Sequence, residues 1–156
     1  SIERKPCQHI VVNGLDHENT SAAISQAFFA GHKLQSKQIT VVEEIQNSEL
    51  KISVEDDSSL KKAVKKESEI TERENKRVHQ IIDEIPQKLK KDIQLKTQSI
   101  FGKRGYSLGH YAEVVRADLL VINAPKSSGL FSRVFTRDIE FILSDLPTDL
   151  LIVRAS

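Results

Sequence analysis

The sequence predicts an α/β protein: a three-layer, open, parallel five-stranded sheet in the order 3-2-1-4-5, with helices on both faces. Three observations predict it. The runs His9–Asn13, Ile39–Val42, Leu119–Ile122 and Leu150–Val153 are nearly continuous apolar segments, as strands buried on both faces must be. Each strand is followed by a segment with helical periodicity or a long connection, which parallel strands need for their crossovers. The last third, from Asp118 to Arg154, reads strand, small-residue loop, helix, strand.

The elements follow in order. His9-Ile10-Val11-Val12-Asn13 is a β-branched strand ended by Gly14. Asp16 to Thr20 supply polar cap residues for a helix whose apolar face is Ala22, Ala23, Ile24, Ala27, Phe28 and Ala30. Gly31 is expected to terminate it. The second strand is Ile39–Val42, and the stretch from Gln46 to Asp57 is polar and irregular. From Ser58 a dense mixed-charge run lies over Leu60, Val64, Ile70, Val78, Ile81, Ile82, Ile85 and Leu89, mostly at helical spacing. This predicts a long amphipathic helix from about 58 to 84, ended by Pro86. Glu69/Arg73, Glu72/Lys76 and Glu84/Lys88 are acid-first i,i+4 pairs, each adding a few tenths of a kcal/mol. The interleaved signs predict a solvated face and not an anion patch.

The alternation of Ile93 to Phe101 predicts a strand at the sheet edge. Gly102 to Gly105 is a turn. Tyr106, Leu108, Tyr111, Ala112 and Val115 place a third helix. A strand at 118–122, a helix at 132–144, Pro147 as a stop and a strand at 150–154 complete the chain. Residues 1–8 read as a polar linker and 9–156 as a single domain. The chain contains no methionine, and together with its polar start this is read as a domain cut from a longer protein.

Composition narrows the classes. A formal net charge of +1 gives no global electrostatic case for nucleic acid or an anionic membrane. The single cysteine, Cys7, excludes an internal disulfide, fits a reducing compartment and reads as a small residue ahead of the first strand. No apolar run approaches the roughly 20 residues that span a bilayer. The five histidines are scattered. His17 and His110 sit near predicted helix starts as cap or surface groups. No Cys/His/Asp cluster has metal-ligand spacing, and Ser127 and Ser128 do not sit in a Gly-x-Ser-x-Gly elbow. The chain is expected not to be an enzyme and not to bind metal.

Three blocks of the chain resemble the universal stress protein family. Ile10 to Ala23 is similar to the family opening, in which a strand ends in Asp-Gly-Ser. The family aspartate falls on Leu15 and its glycine on Asp16. Gly102 to Asp118 matches the helix that joins strands three and four, with Gly102 and Ala117-Asp118 retained. In the third block, Ser128-Gly129-Leu130 matches the family's phosphate loop and Leu150–Arg154 its last strand. At the signature glycines and the residue after the last of them, this chain reads Asn123, Lys126, Thr136 and Arg137.

The resemblance implies an adenine nucleotide alpha hydrolase-like fold and a regulatory or sensor domain. It implies a degenerate adenine-nucleotide cleft. Its base end lies near Val12 and Val41, with Asn13 and Gly14 at the end of strand one and Leu15 on the ribose and metal side. Its phosphate end lies at Asn123, Lys126, Ser127, Ser128, Gly129, Thr136 and Arg137. Glycines admit backbone N–H groups to phosphates, and Cβ-bearing residues block that approach. Two outcomes stay open: ATP, AMP or a cyclic (di)nucleotide binds with help from Lys126 and Arg137, or the cleft is packed and the chain is a dimerisation and interaction module. Slow ATP hydrolysis would be a by-product of binding. The family further implies a homodimer through Leu150, Leu151, Ile152 and Val153. It implies a cytoplasmic location and fusion to a membrane transporter, such as a cation/proton antiporter, or to a sensor.

Overall fold

The computed structural model describes residues 6–14, 20–46, 53–102, 106–124 and 149–154. Five strands, β1 (His9–Asn13), β2 (Gln38–Gln46), β3 (Gln94–Gly102), β4 (Leu119–Ala124) and β5 (Asp149–Arg154), form one parallel sheet in the order β3-β2-β1-β4-β5. Helices α1 (Thr20–Leu34) and α2 (Asp57–Asp83) lie on one face, and α4 (Tyr106–Val114) on the other. A single helical turn, α3 (Gln87–Lys90), joins α2 to β3. The predicted order and parallel sense are those observed, with β3 and β5 at the edges.

β1 is buried because it has a strand on each side and a helix layer on each face. Ile10 and Val12 pack with Ile24, Phe28, Val78 and Val121 beneath α1 and α2. Val11 packs with Leu108, Leu120 and Ile122 beneath α4. The register places Val12 beside Val41 on one side and Val121 on the other. At the start of β1, the Asp118 carboxylate accepts the backbone N–H of Gln8 at 2.9 Å and of His9 at 3.0 Å. One carboxylate thus ties the first strand to β4. Cys7 is half-buried here, and burial pushes its thiol up, away from the reactive thiolate.

Several boundaries differ from those the sequence predicts. Gly31 lies inside α1 and does not end it. A Cβ there would stand 3.0 Å from Ile39 Cδ1 and 3.3 Å from Ile93 Cδ1, so the glycine brings α1 close to the sheet. The helix ends at Gln35, whose φ of 55° is left-handed, and Ser36 N–H closes on the Gly31 carbonyl at 2.9 Å. β2 extends to Gln46 because Glu43 and Glu44 continue the ladder against Ser99 and Ile100. α2 is capped by Asp56, whose side chain accepts from Ser59 N–H while the Ser59 hydroxyl accepts from Asp56 N–H. Serine therefore fills the role usually given to glutamate in a capping box. α3 carries no periodicity that the sequence could have shown. The expectations for 15–19, 103–105 and 132–144 lie outside the described residues. Among the described residues no helix is long and apolar enough to cross a membrane.

Candidate functional site

A parallel sheet collects the carboxyl ends of its strands on one edge. Where the strand order reverses, here between β1 and β4, neighbouring crossovers diverge and leave a crevice. The polar residues at that point are Asn13, at the end of β1, and Asn123, near the end of β4. Asn13 Nδ2 donates to Asn123 Oδ1 at 3.5 Å, and Asn123 Nδ2 donates to Thr20 Oγ1 at 3.2 Å. Asn123 is fully buried and Thr20 is 1% exposed. Buried amides need partners, so this chain ties β1, β4 and the first residue of α1 together at the reversal.

The other expected residues divide into two groups. Val12 and Val41 are neighbours in the ladder, and both side chains are fully buried in the core, so their backbone alone reaches the edge. Gly14 continues from β1, its N–H donating to the Val42 carbonyl at 2.7 Å. A Cβ at position 14 would lie 2.7 Å from Val41 Cγ1 and 3.2 Å from the Val42 oxygen. Hence no side chain fits where β1 leaves the sheet. Leu15, Lys126, Ser127, Ser128, Gly129, Thr136 and Arg137 lie outside the described residues.

Beside Gly14 is a buried polar cluster absent from the sequence expectations. Arg77 of α2 reaches the sheet edge and donates through Nη2 to the Gly14 carbonyl. Its Nε donates to Glu74 Oε2 at 2.9 Å, and Nη2 also contacts that carboxylate. Below lies Glu43 of β2, 1% exposed. The Ser99 hydroxyl of β3 donates to Glu43 Oε2, while Glu43 Oε1 is buried with no hydrogen-bond partner among the described residues. Next to Glu74 in the chain, Asn75 donates through Nδ2 to Thr97 Oγ1 at 2.8 Å.

The signal for this cluster was present in the spacing. Ile70, Glu74, Val78 and Ile82 are the buried residues of α2 and recur every four residues. In β2, Ile39, Val41, Glu43 and Ile45 alternate inward. Glu74 and Glu43 therefore occupy positions of two apolar patterns, which a count of surface charge overlooks. On the opposite face Glu44 accepts the Leu108 N–H at 2.7 Å, a carboxylate at the amino end of α4 where the helix dipole favours it.

Burial pushes the Glu43 carboxyl above the usual range. The Ser99 hydrogen bond pulls it down, Glu74 raises it, and Arg77 and His79 lower it. A group whose pKa is raised on folding stabilises most below its unfolded pKa and loses that contribution as pH rises through its folded pKa. Glu43→Gln should therefore gain stability relative to wild type as pH rises from about 4 to about 8. Urea midpoints measured in parallel check this; a difference that stays flat or falls with pH would overturn it. Among the described residues no His, Cys, Asp and Glu group could hold a metal ion.

The arrangement defines a class: a doubly wound parallel α/β domain with a polar reversal point at the carboxyl edge, the architecture on which mononucleotide sites are built. No protein-family model and no curated protein matches the chain. Solved structures do. Universal stress protein UspA from Lactobacillus plantarum superposes with a TM-score of 0.66 at 15% identity, covering 97% of this chain and 100% of that one. The hypothetical protein MJ0577 superposes with a TM-score of 0.70 at 13% identity, covering 97% and 99%. A universal stress protein in complex with cAMP gives a TM-score of 0.59 at 17% identity, covering 97% and 100%. The chain has the universal stress protein fold over nearly its whole length.

Proposed function

We propose that this chain is a regulatory or sensor module of the universal stress protein type, whose cleft at the β1/β4 reversal binds an adenine nucleotide weakly. The observation that supports it best is the position of Asn13 and Asn123. These are two of the residues the family resemblance assigns to the cleft, and they meet at the reversal point of a sheet whose fold neighbours include a cAMP complex. In this reading the phosphates rest against Lys126 to Gly129 and the segment 132–137, and the base lies at the strand ends near Val12 and Val41. The ligand is AMP, ATP or a cyclic nucleotide. The module acts without catalysis of its own, in the cytoplasm, within a longer protein such as a membrane transporter, and pairs with a second copy through β5.

Affinity should be low for two reasons. Leu15 stands where the family has aspartate, which removes a ribose- or metal-side group. Asn123 and Thr136 replace glycines that would admit backbone N–H groups. A lost charge-assisted hydrogen bond costs roughly 10- to 100-fold in affinity. Titration calorimetry with ATP, AMP and cAMP is therefore expected to give micromolar-to-millimolar binding that hardly depends on Mg²⁺. Lys126→Ala combined with Arg137→Ala should abolish it. Tight Mg²⁺-dependent ATP binding would show that the missing aspartate matters less than argued. No binding of any nucleotide would leave an interaction module.

A further inference from the structure

The opposite pole of the sheet, where the strands begin, carries a groove that the nucleotide reading does not use. It lies between the end of α1, the turn into β2 and the turn from α3 into β3, with a volume of about 350 Å³. His32, Lys37, Lys88 and Lys91 line it, with Asp92 as the one carboxylate and Ile93 among the apolar residues of its wall. In a chain whose basic and acidic residues number 23 and 22, this is a local excess of one sign. The charge on α2 is different, because there the acids are interleaved. None of Lys37, Lys88 and Lys91 forms an ion pair among the described residues. The dipole at the carboxyl end of α1 accounts for His32. It does not account for Lys37, Lys88 and Lys91.

The groove is held in shape by its backbone. Gln94 N–H donates to the Lys37 carbonyl at 2.9 Å, joining the two turns, and Ile93 N–H closes on the Lys90 carbonyl at 3.2 Å. Each turn contains a left-handed residue, Gln35 at φ 55° and Asp92 at φ 62°. The lysines are thus presented from a fixed frame, which lowers the ordering cost of binding. The size suits a small ligand. The donors are ammonium groups, which bind phosphate as point charges, with no arginine fork for a planar carboxylate.

We propose that this groove is a second anion site, at the pole opposite the nucleotide cleft, for a ligand that carries two neighbouring phosphates. Such a ligand is either a soluble bisphosphorylated molecule or a phosphorylated lipid headgroup. The test uses the full chain and two probes. Pyrophosphate is titrated by calorimetry and by amide NMR, and phosphatidylcholine vesicles with and without phosphatidylinositol bisphosphate are tested by sedimentation. Pyrophosphate is expected to shift the amides of Lys37, Lys88 and Asp92, with affinity falling as salt rises. Lys37→Ala with Lys91→Ala should weaken it roughly tenfold, taking two exposed ion contacts together. Lys61→Ala with Lys62→Ala, on the solvated face of α2, should leave it unchanged. Both lysine pairs are exposed, so folding is expected to survive, and circular dichroism checks that it does.

Pyrophosphate binding together with sedimentation on the phosphoinositide vesicles, and not on phosphatidylcholine vesicles, would assign the ligand to a lipid headgroup. Pyrophosphate binding without sedimentation would assign it to a soluble molecule. The proposal is overturned if pyrophosphate does not bind. It is equally overturned if binding survives the Lys37/Lys91 variant and disappears with Lys126→Ala and Arg137→Ala, which would put the anion in the cleft.

Discussion

Arg77→Ala should lower stability by about 3 kcal/mol, measured by urea denaturation at neutral pH. The guanidinium is half-buried, joins α2 to the end of β1 through the Gly14 carbonyl, and is held by Glu74, whose side chain is only 10% exposed. Removing one partner of a buried pair costs roughly 3–5 kcal/mol when the other charge is stranded; partial wetting, and Arg73, which still reaches the Glu74 carboxylate at 3.4 Å, favour the lower end. The strand end loses a carbonyl partner as well. Arg77→Met combined with Glu74→Leu should recover most of the loss, because apolar replacement of both partners removes the stranded charge. A double variant as unstable as Arg77→Ala would mean that the Gly14 contact dominates. A single variant as stable as wild type would mean that the pair is solvated and adds little.

That cluster marks where the sequence stopped being legible. The strand order could be read because it rests on coarse signals, apolar runs and helical spacers, which survive substitution at any one position. β2 was read too short because Glu43 and Glu44 looked like the end of an apolar run. They continue the ladder because Ser99 donates to one oxygen of the Glu43 carboxylate and the amino end of α4 donates to that of Glu44. Gly31 read as a stop because helix-ending glycines are common, and only the position of Ile39 and Ile93 shows that it is a contact. Asn13 and Asn123 were singled out from the resemblance, and the structure brings them together across 110 residues. Arg77 could not have been found by family analogy or charge pattern. Its partner is a backbone carbonyl that no sequence records.

Ile152→Pro should convert a dimer to a monomer, halving the mass seen by light scattering. β5 is an edge strand, paired with β4 on one side. Leu151 and Ile152 are 37% and 40% exposed, a large apolar exposure beside unpaired backbone groups, which invites strand pairing. The proposed twofold contact between two copies of β5 would cover both. Proline removes a donor and crowds the neighbouring strand. Ile152→Lys tests the same contact while keeping every N–H, since like charges then face each other across the axis. If both variants remain dimeric, the interface lies elsewhere. A wild-type chain that is monomeric at high concentration would remove the dimer altogether.

The place of β1 in the sheet has a consequence for how the chain acquires its fold. β1 is synthesised before every other strand of the sheet, yet one of its two neighbours, β4, lies about 110 residues further along. Until β4 arrives, β1 is itself an edge, with Ile10, Val11 and Val12 along it. At ribosomal rates of about 5–20 residues per second, that edge stays open for roughly 5–20 s. Pairings so distant in sequence also close slowly in refolding, because the loop entropy is lost before the contacts form. The nascent chain is therefore most prone to aggregate in the interval when β3-β2-β1 has formed and β4 has not, and that interval ends with the pairing that brings Asn123 to Asn13.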